Sequence, residues 1–354
     1  MSLEITIEKA KVSRISEFDP QNIGFGKLFT DHMFLCDYRD GNWENARIVP
    51  YGNLSMSPAT SSIHYGQSIF EGMKAYASSE NERDITTFRP LENAKRLNRS
   101  ANRMAMPDFP EEDFMKALET LLDLDRNWVP RTEGGALYIR PYMFATDDYI
   151  GVKPSDNYTF AIFCCPVGPY YNKALKVKVE KEFSRAAPGG VGFTKCAGNY
   201  AAALHPTRLA QQEGYDQILW TDPVEHKWVE ETGTTNFFAV IGDKIVTPAL
   251  TETMLAGITR DSVIKGLQHL RYSVEERPLS VDELIAEQQN GNLKELFITG
   301  TAATLMNLEG FGRDSEYYDV MKNGNTEISE KIKDFLENIK VKKSTDPFGW
   351  VHTI

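Results

Sequence analysis

One stretch of the 354-residue chain, "GGVGFTKCAGNYAAALHP", carries a single formal charge, Lys195, among glycines, alanines and aromatic residues. A quarter of the whole chain is charged, so this isolation is local. A lysine without a carboxylate neighbour in sequence has two readings. It is a solvated residue on a flexible loop, as most lysines are, or an amine kept poor in solvent so that it can be neutral and nucleophilic.

Three further stretches could hold an anion. In "TETMLAGITRDS" a loop runs into a helix at Gly257, Ile258 and Thr259, where free amides and a hydroxyl make either an ordinary helix start or a phosphate site. In "FITGTAATL" an apolar strand ends in Gly300-Thr301-Ala302, small enough for close backbone approach or merely a strand-to-loop turn. In "NAKRLNRSANR", Arg99 and Arg103 share a helix face while Arg96 is displaced from them. Neither the P-loop nor the dinucleotide fingerprint is present. An acid is available at Glu231 in "VEETGTTNFF", either as a surface carboxylate or as a partner for a basic nitrogen. A reactive lysine, a phosphate cup and an acid able to protonate a pyridine are together what pyridoxal phosphate (PLP) chemistry requires of a protein.

These groups must be positioned by a fold larger than one core usually serves, so two domains are expected, with residues 170–176 ("YYNKALK") inside the linker between residues 1–169 and 177–354. Apolar-face spacing predicts helices at "PLENAKRLNRSANRMAM", with Leu91, Ala94, Leu97, Ala101 and Met104 inward, and at "PEEDFMKALETLLDLDRNW", with Phe114, Ala117, Leu118, Leu121 and Leu122 inward. Strands are expected at "GALYIRPYMFA", "NYTFAIFCCPVG", "KVKVEKEF", "YDQILWTD", "TNFFAVIGDKIVTPA" with a turn at Gly242-Asp243, and "ELFITG". Later helices are expected at "ITRDSVIKGLQHL", at "SVDELIAEQQ" behind the capping pair Ser280 and Glu283, and at "EISEKIKDFLENI". Strict βαβ alternation is missing, so the fold class is α+β with mixed sheets.

Composition narrows the function. The 39 Lys and Arg against 50 Asp and Glu give a net charge of -11 at pH 7, which argues against a nucleic-acid partner. No apolar run approaches the roughly 20 residues of a membrane span, and the N-terminal residues lack an apolar signal core, so the chain reads as cytoplasmic. Cys36, Cys164, Cys165 and Cys196 have neither disulfide-scaffold nor metal-ligand spacing; no metal is expected, and Cys164 and Cys165 read as packing residues. Cys196 is either packing or reactive beside Lys195.

Across nearly its whole length the chain resembles the branched-chain amino-acid aminotransferases, of PLP fold type IV. The resemblance is carried in order by "FGKLFTDHMF", "SIHYGQSIFEGMKAY", "FRPLENAKRLNRSANRMAMP", "ALYIRPYMFA", "CPVGPYY", "GGVGFTKCAGNYA", "ETGTTNFF", "LAGITRDS" and "GTAATL". It implies a two-domain fold with a barrel-like core and flanking helices. It implies Lys195 as the Schiff-base lysine, Tyr200 at the ring hydroxyl, Glu231 at the pyridine nitrogen, and Arg96, Ile258, Thr259 and Thr301 at the phosphate. It further implies a substrate pocket of Phe25, Tyr65, Tyr138 and Tyr170 with Arg140 nearby, and main-chain amides of Thr234 and Ala302 for the α-carboxylate. Some animal members carry a redox Cys-x-x-Cys after the Gly-Thr-Ala turn; Ala303 and Met306 stand there, which implies no such thiol switch.

The implied reaction passes the amino group of L-leucine, L-isoleucine or L-valine to 2-oxoglutarate in two half-reactions, with Lys195 moving the proton. A homodimer is the implied minimum assembly. D-amino-acid aminotransferase and aminodeoxychorismate lyase, of the same fold, would keep Lys195, Glu231 and the phosphate cup; the segments "FTDHM" and "FEGMKAY" favour the branched-chain group. A non-catalytic PLP carrier would keep its chromophore unchanged by leucine.

Overall fold

The computed structural model of the chain describes every residue except 1, 2, 21, 23, 169–172, 302, 303 and 324. The chain divides into two compact units, Met1–Tyr170 with Thr194–Ala197 and Asn338–Ile354 forming one, and Tyr171–Phe193 with Gly198–Glu337 forming the other. The sequence suggests one cut at a linker, with Lys195 and the C-terminus on its far side. Instead the four residues around Lys195 and the last seventeen residues pack with the first unit, because the partners of their backbone lie there: Phe70 and Ser100 for Lys195, and the strand Ile85–Phe88 for Val351–Thr353. Part of the expected linker, residues 170–172, lies outside the described residues.

The first unit is built on an almost wholly antiparallel sheet. Its order begins with the short strand Thr6–Ile7 beside Asn42–Pro50, then His32–Arg39, Tyr158–Val167, Ala136–Ala145, Met73–Ala77, Ile85–Phe88 and Val351–Thr353. Ser68–Phe70 pairs separately with Ala136–Ala145. The two long central strands are buried on both faces, which is why they read as continuous apolar runs.

Two helices accompany this sheet. Glu111–Leu124 buries Phe114, Ala117, Leu118, Leu121 and Leu122, the face its periodicity announces, and Phe114 meets Phe160 of the sheet at 5.9 Å between rings. Pro90–Arg103 departs from expectation. Leu91 is exposed, and the buried face includes the polar residues Asn93, Arg96 and Ser100 beside Ala94, Leu97 and Ala101. Apolar periodicity does not reveal this, since the polar residues are buried for the partners they find.

The second unit contains a closed six-stranded barrel. Its strands in order are Val229–Thr232, Gln217–Thr221, Leu175–Val179, Thr304–Arg313, Leu293–Gly300 and Asn236–Ile241, and the last pairs back with the first through Glu231 and Asn236. Phe237, Leu296, Ile298, Leu308 and Phe311 fill its core cluster. The turn at Gly242 takes φ +62°, a conformation glycine adopts without a side-chain penalty, and joins the hairpin Asn236–Ile241 to Lys244–Thr247 as expected. The strand expected at "KVKVEKEF" ends at Val179, and the strand Thr304–Arg313 is an addition to those read from the sequence.

Helices Ile258–His269 and Val281–Gln289 form where the sequence places them. The Ser280 hydroxyl accepts from the Glu283 amide at 3.0 Å, but the Glu283 carboxylate turns to Arg277, so only half of a capping box forms. Helix Ala197–Gln212 is hidden from propensity, since glycine, asparagine and Pro206 are unfavourable helix formers. Among the described residues no helix is long and apolar enough to cross a membrane, and no His, Cys, Asp and Glu grouping could hold a metal. All four cysteines are free and buried, Cys196 included, which favours the packing reading.

Candidate active site

Lys195 is fixed by its backbone. Its amide donates to the Ser100 hydroxyl at 3.0 Å, its carbonyl accepts from the Phe70 amide at 3.0 Å, and the next residue, Cys196, bridges Ile69. The side chain is half-buried with Nζ over the Phe70 ring, 4.8 Å from its centroid. These surroundings are not simply apolar. The carboxylate of Glu71, the residue after Phe70, lies within electrostatic reach of the amine.

Glu71 is fully buried and organises this part of the unit. It receives Arg96 Nε on Oε1 and Nη2 on Oε2, both at 2.8 Å, the two-pronged geometry that suits guanidinium to carboxylate. Asn93 Nδ2 adds a third bond at 2.8 Å. Burial alone pushes the Glu71 carboxyl up, but the Arg96 charge and hydrogen bond, the Lys195 charge and the Asn93 hydrogen bond together hold it below the ordinary range. Arg96, expected at a phosphate, is thus 4% exposed with two of its three guanidinium nitrogens engaged by a carboxylate. Arg99 and Arg103, on the other face of the helix, are exposed.

Aromatic residues and Arg140 stand in the same unit. Phe25 packs edge-on against Tyr138 at 5.3 Å, and Arg140 lies over the rings of Phe70 at 4.6 Å and Tyr138 at 5.4 Å while donating to the Tyr138 hydroxyl at 3.1 Å. Gly72 is required here, since a Cβ would sit 2.4 Å from the Tyr138 oxygen. Tyr65 is exposed in a short helix, Ser61–Tyr65. Tyr170 lies outside the described residues. Phe70, Glu71 and Gly72 escape the reading of individual site residues, although the segment "FEG" is in plain view; an acid between two apolar neighbours is the signal.

The second unit carries the remaining groups. Glu231 is 5% exposed and faces Arg185, whose Nη2 lies 2.8 Å from Oε1. Its Oε2 accepts from Asn236 Nδ2 at 3.2 Å and from the Leu255 amide at 3.3 Å. Asn236 also donates to the Leu255 carbonyl at 3.0 Å, and a Cβ on Gly257 would meet its Oδ1 at 2.0 Å. Glu231 is thereby tied to the loop that starts helix Ile258–His269.

That helix begins at Gly257 without a side-chain cap, and Ile258 and Thr259 form its first turn. The first amides of a helix look for acceptors beyond the helix itself, which makes this end suited to an anion. Gly300 approaches Thr235 so closely that a Cβ would lie 2.7 Å from its methyl, with Thr301 half-buried next in sequence. Thr234 is exposed in the turn closed by the Thr232 amide on the Thr235 carbonyl, at 2.8 Å. Tyr200 is half-buried on the first turn of Ala197–Gln212. Ala302 lies outside the described residues.

The donor set fits PLP: a pinned amine, a carboxylate balanced by an arginine, and an uncapped helix start reached through a glycine. The family model for amino-transferase class IV matches residues 68–309. The chain belongs to the class IV aminotransferases. It is 44% identical over 337 residues to branched-chain-amino-acid transaminase 1 of Bacillus subtilis, covering 94% of each chain. Among solved structures it is similar to the branched-chain aminotransferase of Thermoproteus uzoniensis with norvaline, at TM-score 0.75 and 24% identity over 91% of this chain and 99% of that one. It is similar also to the branched-chain amino acid aminotransferase of Escherichia coli, at TM-score 0.74 and 24% identity over 91% and 98%. Another similar structure, at TM-score 0.74 and 24% identity over 90% and 97%, is a branched-chain amino acid aminotransferase with pyridoxamine 5'-phosphate. The barrel and mixed sheets are thus the class IV fold, as the sequence suggests.

Proposed function

We propose that this class IV aminotransferase transfers the amino group of L-leucine, L-isoleucine or L-valine to 2-oxoglutarate, using PLP, and gives the branched-chain 2-keto acid and glutamate. The observation that carries the reading is Lys195, held at amide and carbonyl so that only its side chain is left to move. Identity to a branched-chain transaminase across 94% of both chains supports the substrate class.

PLP when bound supplies an electron-withdrawing ring that stabilises charge at the substrate α-carbon. Lys195 would take the proton from the substrate α-carbon as general base and deliver it to the cofactor carbon C4′ as general acid. Glu231 holds charge opposite the ring nitrogen. Arg96, the amides of Ile258 and Thr259, and Thr301 hold the phosphate, and Tyr200 meets the ring hydroxyl. Phe25, Tyr65, Tyr138 and Arg140 bound the side-chain pocket, with the Thr234 amide at the α-carboxylate; Tyr170 and Ala302, which the resemblance adds to these two groups, lie outside the described residues.

A homodimer in the cytoplasm completes the proposal. The segments around Thr60 and Asp148 bridge each other and expose Ile63, Tyr65, Tyr149, Ile150 and Val152, an apolar surface suited to a second copy. Sedimentation of an active monomer would refute it. The activity test is a spectrum of the yellow protein: L-leucine should bleach it and 2-oxoglutarate restore it. A pocket that senses a missing methylene by only about 1–3 kcal/mol keeps valine as a substrate. D-Alanine turned over as efficiently as L-leucine would instead indicate the D-amino-acid relative.

A further inference from the structure

We propose that Arg185 is the positioning residue that decides where the proton lies between Glu231 and the ring nitrogen of PLP. The inference rests on the assignment of Glu231 to that nitrogen. Arg185 and Glu231 have side chains each 6% exposed and meet at 2.8 Å, so their charges interact with little screening by water. Arg185 Nη2 is held further by the carbonyls of Gly192, at 3.1 Å, and Thr253, and its Nε is buried without a hydrogen-bond partner among the described residues. A buried guanidinium with one nitrogen unsatisfied costs stability, and the fold retains it beside this one carboxylate.

The neighbouring residue supplies an internal contrast. Glu230 precedes Glu231 on the same strand and is as deeply buried, yet its carboxylate meets the Thr253 hydroxyl instead of the arginine. Burial pushes the Glu230 carboxyl up, and the Thr253 hydrogen bond and the more distant Arg185 charge offset this only in part. Two consecutive buried acids therefore have different fates. The one in contact with Arg185 has its negative charge matched, and it also accepts from two neutral donors, Asn236 and the Leu255 amide.

A carboxylate facing a pyridine shares one proton with it. With Arg185 in place the anion is stabilised on Glu231, and the proton belongs to the ring nitrogen, where it makes the ring a stronger electron sink. Without Arg185 the same carboxylate loses the cation it meets at 2.8 Å, and the proton shifts toward Glu231, where it leaves the carboxyl and the ring nitrogen neutral. No atom is gained or lost; only the position of one proton changes.

The test reads that proton directly. Protein loaded with PLP labelled with nitrogen-15 in the ring is compared as wild type, Arg185→Gln, Arg185→Lys and Glu231→Gln, with the ring nitrogen's chemical shift followed by NMR. Arg185→Gln should move the signal toward the unprotonated value, changing the proton's distribution about tenfold or more. Arg185→Lys keeps a charge without the planar fork and should move it in the same direction by less. That variant carries the test if Arg185→Gln does not fold. A wild-type shift in either Arg185 variant, together with a displaced one in Glu231→Gln, overturns the proposal for Arg185. A wild-type shift in Glu231→Gln overturns instead the assignment of Glu231 on which it rests.

Discussion

Arg96 grips Glu71 through two parallel hydrogen bonds of 2.8 Å inside the first unit, with Glu71 wholly removed from solvent. Breaking such a pair by removing one partner leaves the other charge stranded, at a cost of about 3–5 kcal/mol. Glu71→Gln should therefore lower unfolding stability in urea by that order. A loss below about 1 kcal/mol would show that the pair is not formed.

The same pair sets a pH dependence. Because the Glu71 carboxyl is held below its ordinary range, its contribution to stability is present above the unfolded value of about 4.3 and is lost as pH falls below it. The stability gap between the wild type and Glu71→Gln should be full at neutral pH and shrink in acid. A gap that widens in acid would contradict the sign.

Replacing Lys195 tests chemistry apart from folding, since both main-chain bonds of residue 195 survive the change. Lys195→Ala should keep the circular dichroism of the wild type while losing turnover by at least about 10²–10⁴, the range of general acid and base catalysis. Near-normal turnover would remove Lys195 from the mechanism.

Gly257→Ala probes the start of helix Ile258–His269. The added Cβ falls 2.0 Å from Asn236 Oδ1, so the loop or Asn236 must move, at about 1–3 kcal/mol. Weakened PLP binding, measured by titrating the cofactor-free protein, should exceed any weakening for pyridoxal, which lacks the phosphate. Equal effects on the two ligands would mean that this helix end does not hold phosphate.

Gly72→Ala should disturb substrate rather than cofactor. Its Cβ would lie 2.4 Å from the Tyr138 hydroxyl, which is also bonded by Arg140. A displacement of this size at a pocket wall costs about 10²-fold in kcat/KM for L-leucine, with PLP affinity unchanged. An unaltered kcat/KM would place Tyr138 outside the pocket.

Much of this is open to a reading of the residues alone, and the limits of that reading follow from physics. Periodicity reports burial of apolar side chains, so it sets the face of Glu111–Leu124 and the central strands of the first sheet. The lone charge at Lys195 stands out because its neighbours are small or apolar, and Glu231 because a run of small residues and then an apolar strand follows it. Periodicity is blind where burial serves polar pairing. It puts Leu91 inside and overlooks Asn93, Arg96 and Ser100, whose burial depends on Glu71 and Lys195, residues 20 or more positions away. It cannot pair Arg185 with Glu231, 46 positions later, because Arg185 lies in the segment after the strand Leu175–Val179 and is held there by the Gly192 and Thr253 carbonyls. Residue types determined which chemistry was available; only long-range pairing in the tertiary structure decided which charges neutralise one another, since a charge is stabilised by what surrounds it in space and not by its sequence neighbours.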